Sequence, residues 1–171
     1  MMGTLTWNGM SDLAYELLFQ RENPSWLYSV DNGATTFWER WDSYTYEKGI
    51  APRGVNSYNH YAYGAVCQWI WETVAGINAD TAAPGFRHIV LKPVPDKRLG
   101  SVDAEYNSVS GVIRSSWRYD GDNWIWDFTI PEGTTATVIP PDGSGPEEYG
   151  PGSHSITVLN LTDAVQGDYK Q

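Results

Sequence analysis

Cysteine is almost missing from these 171 residues. Cys67 stands alone, which excludes an internal disulfide framework and a cysteine-rich zinc cluster. Basic residues are scarce as well: 11 Lys and Arg face 21 Asp and Glu, giving a formal net charge of −10. Phosphate binding runs on Lys and Arg, so no nucleic-acid partner is expected. No basic run offers a membrane-surface patch. The longest apolar stretch, residues 61–70, is interrupted by Gly64 and Gln68 and is too short to span a bilayer, so no membrane partner is expected either. Residues 1–5 lack the charged-then-apolar order of a signal peptide, and the compartment is left open. No cofactor and no metal site are expected.

What the chain does have is aromatic side chains. Nine Trp and 11 Tyr supply most of the 14% aromatic fraction. Such rings stack on the C–H face of a pyranose, and they equally well fill cores and interfaces. Composition alone does not choose between the two.

The hydrophobic period changes near the middle. Ser11 fits an N-cap ahead of a helix over 12–19, with Asp12 in the first turn. Asn23-Pro24-Ser25 breaks it. A short helix is predicted from Thr35 or Thr36 through Phe37-Trp38-Glu39-Arg40-Trp41, then a long loop over 44–56. The clearest helix is predicted over 58–75, ending at Gly76. It is so apolar that it should be buried on most of its surface, more than three helices can cover. From residue 85 the period becomes two. Strands are predicted over 87–92, around Val102-Ala104-Tyr106, around Ile113 and Trp117, and through Trp124, Trp126, Phe128 and Ile130. Two more are predicted over 134–139 and 155–161, with a short segment at 147–149. Asp120-Gly121-Asp122-Asn123 reads as a hairpin turn. The fold class is therefore mixed, with helices over 1–84 followed by an antiparallel β-sandwich over 85–171.

Two segments could carry chemistry. Glu39 lies between Trp38 and Trp41, beside Arg40, where a glycosidase would use a carboxylate with aromatic walls. Thr36 and Glu39 also have the spacing of a capping box, in which the glutamate only satisfies a backbone N–H. Arg40 and Asp42 form a local ion pair in this view. His60 begins the long helix next to the loop. There the helix dipole disfavours the imidazolium, and a neutral ring can exchange hydrogen bonds with a sugar hydroxyl or with a loop carbonyl.

The run Gly33-Ala34-Thr35-Thr36-Phe37-Trp38-Glu39-Arg40-Trp41, followed by Ser57-Tyr58-Asn59-His60-Tyr61-Ala62-Tyr63-Gly64-Ala65-Val66, closely resembles the end of the catalytic domain in family 78 glycoside hydrolases, the bacterial α-L-rhamnosidases. Asp12-Leu13-Ala14-Tyr15 and Pro24-Ser25-Trp26-Leu27-Tyr28 resemble the helix and loop before it. The resemblance implies the last helices of an (α/α)6 six-hairpin barrel over 1–84 and a C-terminal β-sandwich over 85–171. It implies hydrolysis of terminal α-L-rhamnosides with inversion, Glu39 as general base, and His60 as a rhamnose contact. It also implies that the general acid lies outside this chain, and an inverting cycle needs both carboxyl groups. The chain alone is therefore expected to be inactive.

Three partners follow from these readings. One is a rhamnose-containing glycan or glycoside. The second is the missing N-terminal part of the barrel, or a further copy, against the exposed helices. The third is a glycan held by Trp117, Trp124 or Trp126 if the sandwich is a binding module. The strict alternation of those three favours core packing instead.

Overall fold

The computed structural model describes residues 1–52, 54 and 56–161. The chain forms two compact units, one over residues 1–68 and one that begins at Trp69.

The first unit opens with α1 (Met2–Trp7) and α2 (Ser11–Phe19). Ser11 is not the N-cap. It is the first helical residue, after Met10, and its hydroxyl is buried without a hydrogen-bond partner among the described residues. Asp12 does occupy the first turn, where its charge complements the helix dipole. After the break comes α3 (Trp26–Asp31), a helix the periodicity did not indicate. It is short, and its start is fixed by a local bond instead: the Ser25 hydroxyl accepts from the Tyr28 N–H at 3.0 Å.

The helix predicted from Thr35 or Thr36 does not form. Residues 34–40 are irregular, because β-branched and aromatic side chains gain little from a helix and the segment is tied elsewhere. The Glu39 N–H donates to the Ser57 carbonyl at 2.8 Å, and the His60 N–H donates to the Phe37 carbonyl at 2.7 Å. The loop over 44–56 contains a minimal hairpin, β1 (Tyr44–Thr45) and β2 (Gly49–Ile50).

The long helix is three kinds of helix in succession. A 3-10 turn (Tyr61–Gly64) runs into α4 (Ala65–Trp69) and then a π-helical turn (Ile70–Val74). Val66, Trp69 and Val74 are buried, whereas Tyr61, Ala62, Ala65, Cys67, Gln68 and Glu72 are exposed. Burial is thus confined to one side, less than the apolar sequence predicts. Gly76 follows with φ +75°, as a C-terminal glycine should. A Cβ there would sit 2.2 Å from the Pro93 nitrogen, so glycine is required for space as well as for conformation.

In the second unit β3 (Ile77–Ala79), β4 (His88–Leu91), β8 (Thr135–Val138) and β9 (Glu147–Tyr149) form one sheet in the order β3-β4-β8-β9. A second sheet has the order β10-β7-β6-β5, from β5 (Ser101–Ser108), β6 (Gly111–Asp120), β7 (Asn123–Ile130) and β10 (Gly152–Val158). All pairs are antiparallel except β4 with β8, which run parallel. The β6–β7 turn is as predicted, with Gly121 at φ +62° in the first central position of a two-residue loop. Ile77, Ile89, Leu91, Ala136 and Val138 of the first sheet and Ile113, Trp117, Trp124, Trp126, Phe128 and Ile130 of the second are buried to 1% exposure or less.

The end of the long helix belongs to this core. The Val74 carbonyl accepts from the Trp117 indole N–H at 2.8 Å, and the Ala75 carbonyl accepts from the Ser115 hydroxyl at 2.6 Å. The Thr73 carbonyl takes the Val94 N–H. Carbonyls that a helix C-terminus leaves open are therefore closed by strand side chains and backbone. Strand β3, upstream of the Pro84 position where the period changes, is already part of the sheet.

Candidate functional site

The two segments singled out in the sequence lie against each other. Besides the two backbone bonds between 37–39 and 57–60, the Thr36 hydroxyl donates to the Tyr58 carbonyl. The Glu39 Oε2 accepts from the Ser57 N–H at 2.8 Å. This disposes of the capping box: there is no helix to cap, Thr36 points its hydroxyl across to the other segment, and Glu39 bonds a residue 18 positions away. Glu39 is half-buried. Its second carboxylate oxygen makes no hydrogen bond among the described residues.

A polar knot holds the loop behind Glu39. Ser43 is fully buried, and its carbonyl collects the Ala51 N–H, the Asn56 side-chain amide at 3.1 Å and the Tyr58 hydroxyl at 3.0 Å. Its own hydroxyl lies within reach of the Arg40 carbonyl and the Asn56 amide oxygen. Arg40 and Asp42 approach to 3.7 Å, the local ion pair the sequence suggests.

Of the tryptophans beside Glu39, Trp38 is closed off and Trp41 is half-buried against other rings. Trp38 is 7% exposed, with its ring edge-on to Tyr44 and Tyr58. Trp41 stacks on Tyr63 at 3.8 Å between centroids and meets Trp26 edge-on. They hold the unit together. The sandwich tryptophans are likewise unavailable, since Trp117, Trp124 and Trp126 are at most 1% exposed and pack in a row with Phe128.

His60 is the N-cap of the 3-10 turn. Its Nδ1 accepts from the Ala62 N–H at 3.4 Å, so a neutral ring carries its proton on Nε2 and has a donor left over. His60 lines an open hollow of about 510 Å³, with Phe37, Asn59, Tyr61, Ala65 and Gln68. Glu39 is not among the lining residues. Tyr61 is 90% exposed, and its ring lies parallel to the imidazole, 5.8 Å away. Sequence reasoning passed over Phe37, Asn59, Tyr61 and Gln68. The spacing of Tyr61, Ala65 and Gln68, four and three residues apart, marks one helical face and was the available signal. No group of three or more His, Cys, Asp or Glu among the described residues could hold a metal ion.

Residues 1–74 match the bacterial alpha-L-rhamnosidase 6 hairpin glycosidase domain, and residues 76–155 match the bacterial alpha-L-rhamnosidase C-terminal domain. An alpha-L-rhamnosidase from Alteromonas sp. (strain LOR) is 42% identical over 133 residues, 78% of this chain and 14% of that protein. One from Streptomyces avermitilis is 36% identical over 176 residues, 92% of this chain and 17% of that protein. The crystal structure of the S. avermitilis alpha-L-rhamnosidase complexed with L-rhamnose superposes with a TM-score of 0.82 at 36% identity, covering 92% of this chain and 17% of that one. That of the Aspergillus terreus enzyme gives 0.84 at 37% identity, covering 91% and 18%. The chain spans less than a fifth of the length of these relatives.

Proposed function

Because the chain belongs to the bacterial α-L-rhamnosidases, we propose that its helical unit contributes the general base and one sugar contact of an inverting α-L-rhamnosidase. Glu39 is the base that takes a proton from the attacking water, and His60 donates from Nε2 to a rhamnose hydroxyl. The observation that carries this reading is the pairing of 36–39 with 57–60, which ties the Glu39 loop to the start of the His60 helix. The Ser57 N–H occupies one oxygen of Glu39 and fixes the carboxylate, leaving the other for water. The general acid comes from outside this chain, so the chain alone does not turn over. Its substrates are terminal α-L-rhamnosides.

Glu39→Gln in the full-length enzyme tests the assignment. Glutamine keeps an oxygen for the Ser57 N–H, so the loop stays in place while the base is lost. Turnover of an aryl rhamnoside should fall about 10²–10⁴-fold. Near-normal turnover would remove Glu39 from the mechanism, and turnover by the 171-residue chain itself would remove the claim that the acid lies elsewhere.

We also set the boundary between the two domains upstream of Ile77 rather than at Pro84. Strand β3 and the carbonyls of Thr73, Val74 and Ala75 already serve the sandwich. On the helical side, Trp7, Met10 and Leu13 are exposed by 63%, 44% and 43%. We read this apolar face as a packing surface for further hairpins of the six-hairpin domain, with self-association as the competing outcome in sedimentation at several concentrations.

A further inference from the structure

We infer that β10 is an open strand-addition edge, and that its occupant is β10 of a second copy of this chain, joined antiparallel into one continuous sheet.

Among the described residues the second unit has four sheet edges, at β3, β9, β5 and β10. An edge strand presents a row of unpaired backbone donors and acceptors to which another strand can add. Three of the four are blunted. β3 and β9 have three residues each, and β9 carries Glu147 and Glu148. β5 is long, but its exposed side bears Asp103 and Glu105. β10 has neither protection: its seven residues, Gly152–Val158, include no Asp, Glu, Lys, Arg or Pro.

The ladder fixes which groups point outward. At the two-residue β6–β7 turn Asp120 and Asn123 exchange both backbone bonds, and the pattern alternates from there. Odd-numbered residues of β7 thus bond β6, and even-numbered ones bond β10. The even positions of β10 are occupied in this way, so the N–H and C=O of Ser153, Ser155 and Thr157 face away from the sheet. None of the three has a further backbone partner among the described residues, and their side chains are exposed. On β5 the same alternation turns Asp103 and Glu105 outward.

A second copy suits this row because the row is complementary to itself in reverse. With a two-fold axis at Ser155, that residue meets its own copy, and Ser153 meets the partner's Thr157. About six backbone hydrogen bonds form, and small hydroxyls face small hydroxyls. Such a pair already exists within the chain, where the Thr129 and Ser153 hydroxyls lie 3.2 Å apart across β7 and β10. Asp127, the carboxylate that accepts from the Ser155 hydroxyl, is also paired with Arg118 at 2.9 Å. A charged peptide would find no ion-pair partner along 152–158, which favours the neutral copy over a charged strand.

Amide hydrogen exchange of the 171-residue chain, followed by NMR from about 20 μM to about 1 mM, reads the edge directly. The Ser153, Ser155 and Thr157 amides should exchange about tenfold more slowly at the highest concentration, while those of Asp103 and Glu105 stay unchanged. Sedimentation should report a dimer over the same range. Ser155→Lys brings two like charges together at the axis. It should weaken the dimer more than about tenfold and move the melting temperature by less than about 5 °C. Ser153→Lys with Thr157→Asp opposes unlike charges across the seam and should leave a dimer at least as tight as before. Ser153→Lys with Thr157→Lys should abolish it. Exchange at the three amides that ignores concentration overturns the inference, as does equal association of the two double variants. So does a dimer that survives Ser155→Lys and is lost on Leu13→Lys, since the exposed helical face would then be the interface.

Discussion

Single side chains decide how the helix end meets the sandwich. Ser115 is wholly buried and bonded twice, donating to the Ala75 carbonyl and accepting the Trp126 indole N–H at 3.0 Å. Trp117 donates to the Val74 carbonyl, whereas the buried Trp124 indole nitrogen has no partner among the described residues. The three tryptophans look equivalent in the sequence, and they are not equivalent in energy. Trp117→Phe orphans a buried carbonyl, and Trp124→Phe removes an orphaned donor. Trp117→Phe should therefore cost about 1–3 kcal/mol more than Trp124→Phe in urea denaturation. Equal losses would mean that the Trp117 bond contributes nothing. The alternation of residues 124–130 made their burial readable from sequence. The hydrogen-bond partner of each ring was not readable, because Val74 lies 43 positions from Trp117.

At the level of elements, the outer face of the second sheet is a ladder of charges. Arg114 on β6 pairs with Asp103 at 2.9 Å and Glu105 at 3.6 Å on β5, and Arg118 pairs with Asp127 on β7 at 2.9 Å. The Ser155 hydroxyl on β10 adds a bond to Asp127 at 2.7 Å. Hydrogen bonds from Ser155 and then Arg118 hold the Asp127 carboxyl below the usual carboxylate range. A depressed folded-state pKa stabilises above the unfolded value, near about 4, and that contribution is lost as pH falls through the folded value. Unfolding by urea should accordingly become easier from about pH 5 downward. Asp127→Asn should flatten that slope, and an unchanged slope would exclude Asp127 as a source. The strands themselves were largely evident from their period of two. The exceptions are instructive: β3 has three residues, too few to show a period, and the parallel β4–β8 pairing joins strands separated by three others. In the helical unit the same limit applies. Phe37-Trp38-Glu39 is apolar enough to suggest a helix, yet its backbone donors and acceptors are taken by residues 57–60.

Over the whole molecule the two units divide the work between a carboxylate-bearing helical part and a sandwich. The sandwich unit should fold without the first, provided that it keeps its helical end. A chain of residues 69–161 should unfold in a single cooperative transition. One of residues 85–161 lacks β3 and the acceptors for Trp117 and Ser115, and it should melt lower by more than about 10 °C, since each kcal/mol shifts a domain of this size by about 4–8 °C. Equal melting temperatures would return the boundary to Pro84.

The sequence by itself determined the family, the change from helix to sandwich, and two residues of interest, Glu39 and His60. It could do so because motifs and periods are local properties of the chain. Only the tertiary structure decided that Trp38 and Trp41 pack on other rings of the unit, that Glu39 bonds Ser57 rather than capping a helix, and that residues 77–79 pair with β4. Each of those outcomes depends on which distant group reaches a donor or a ring first, and spacing along the chain carries no record of that competition.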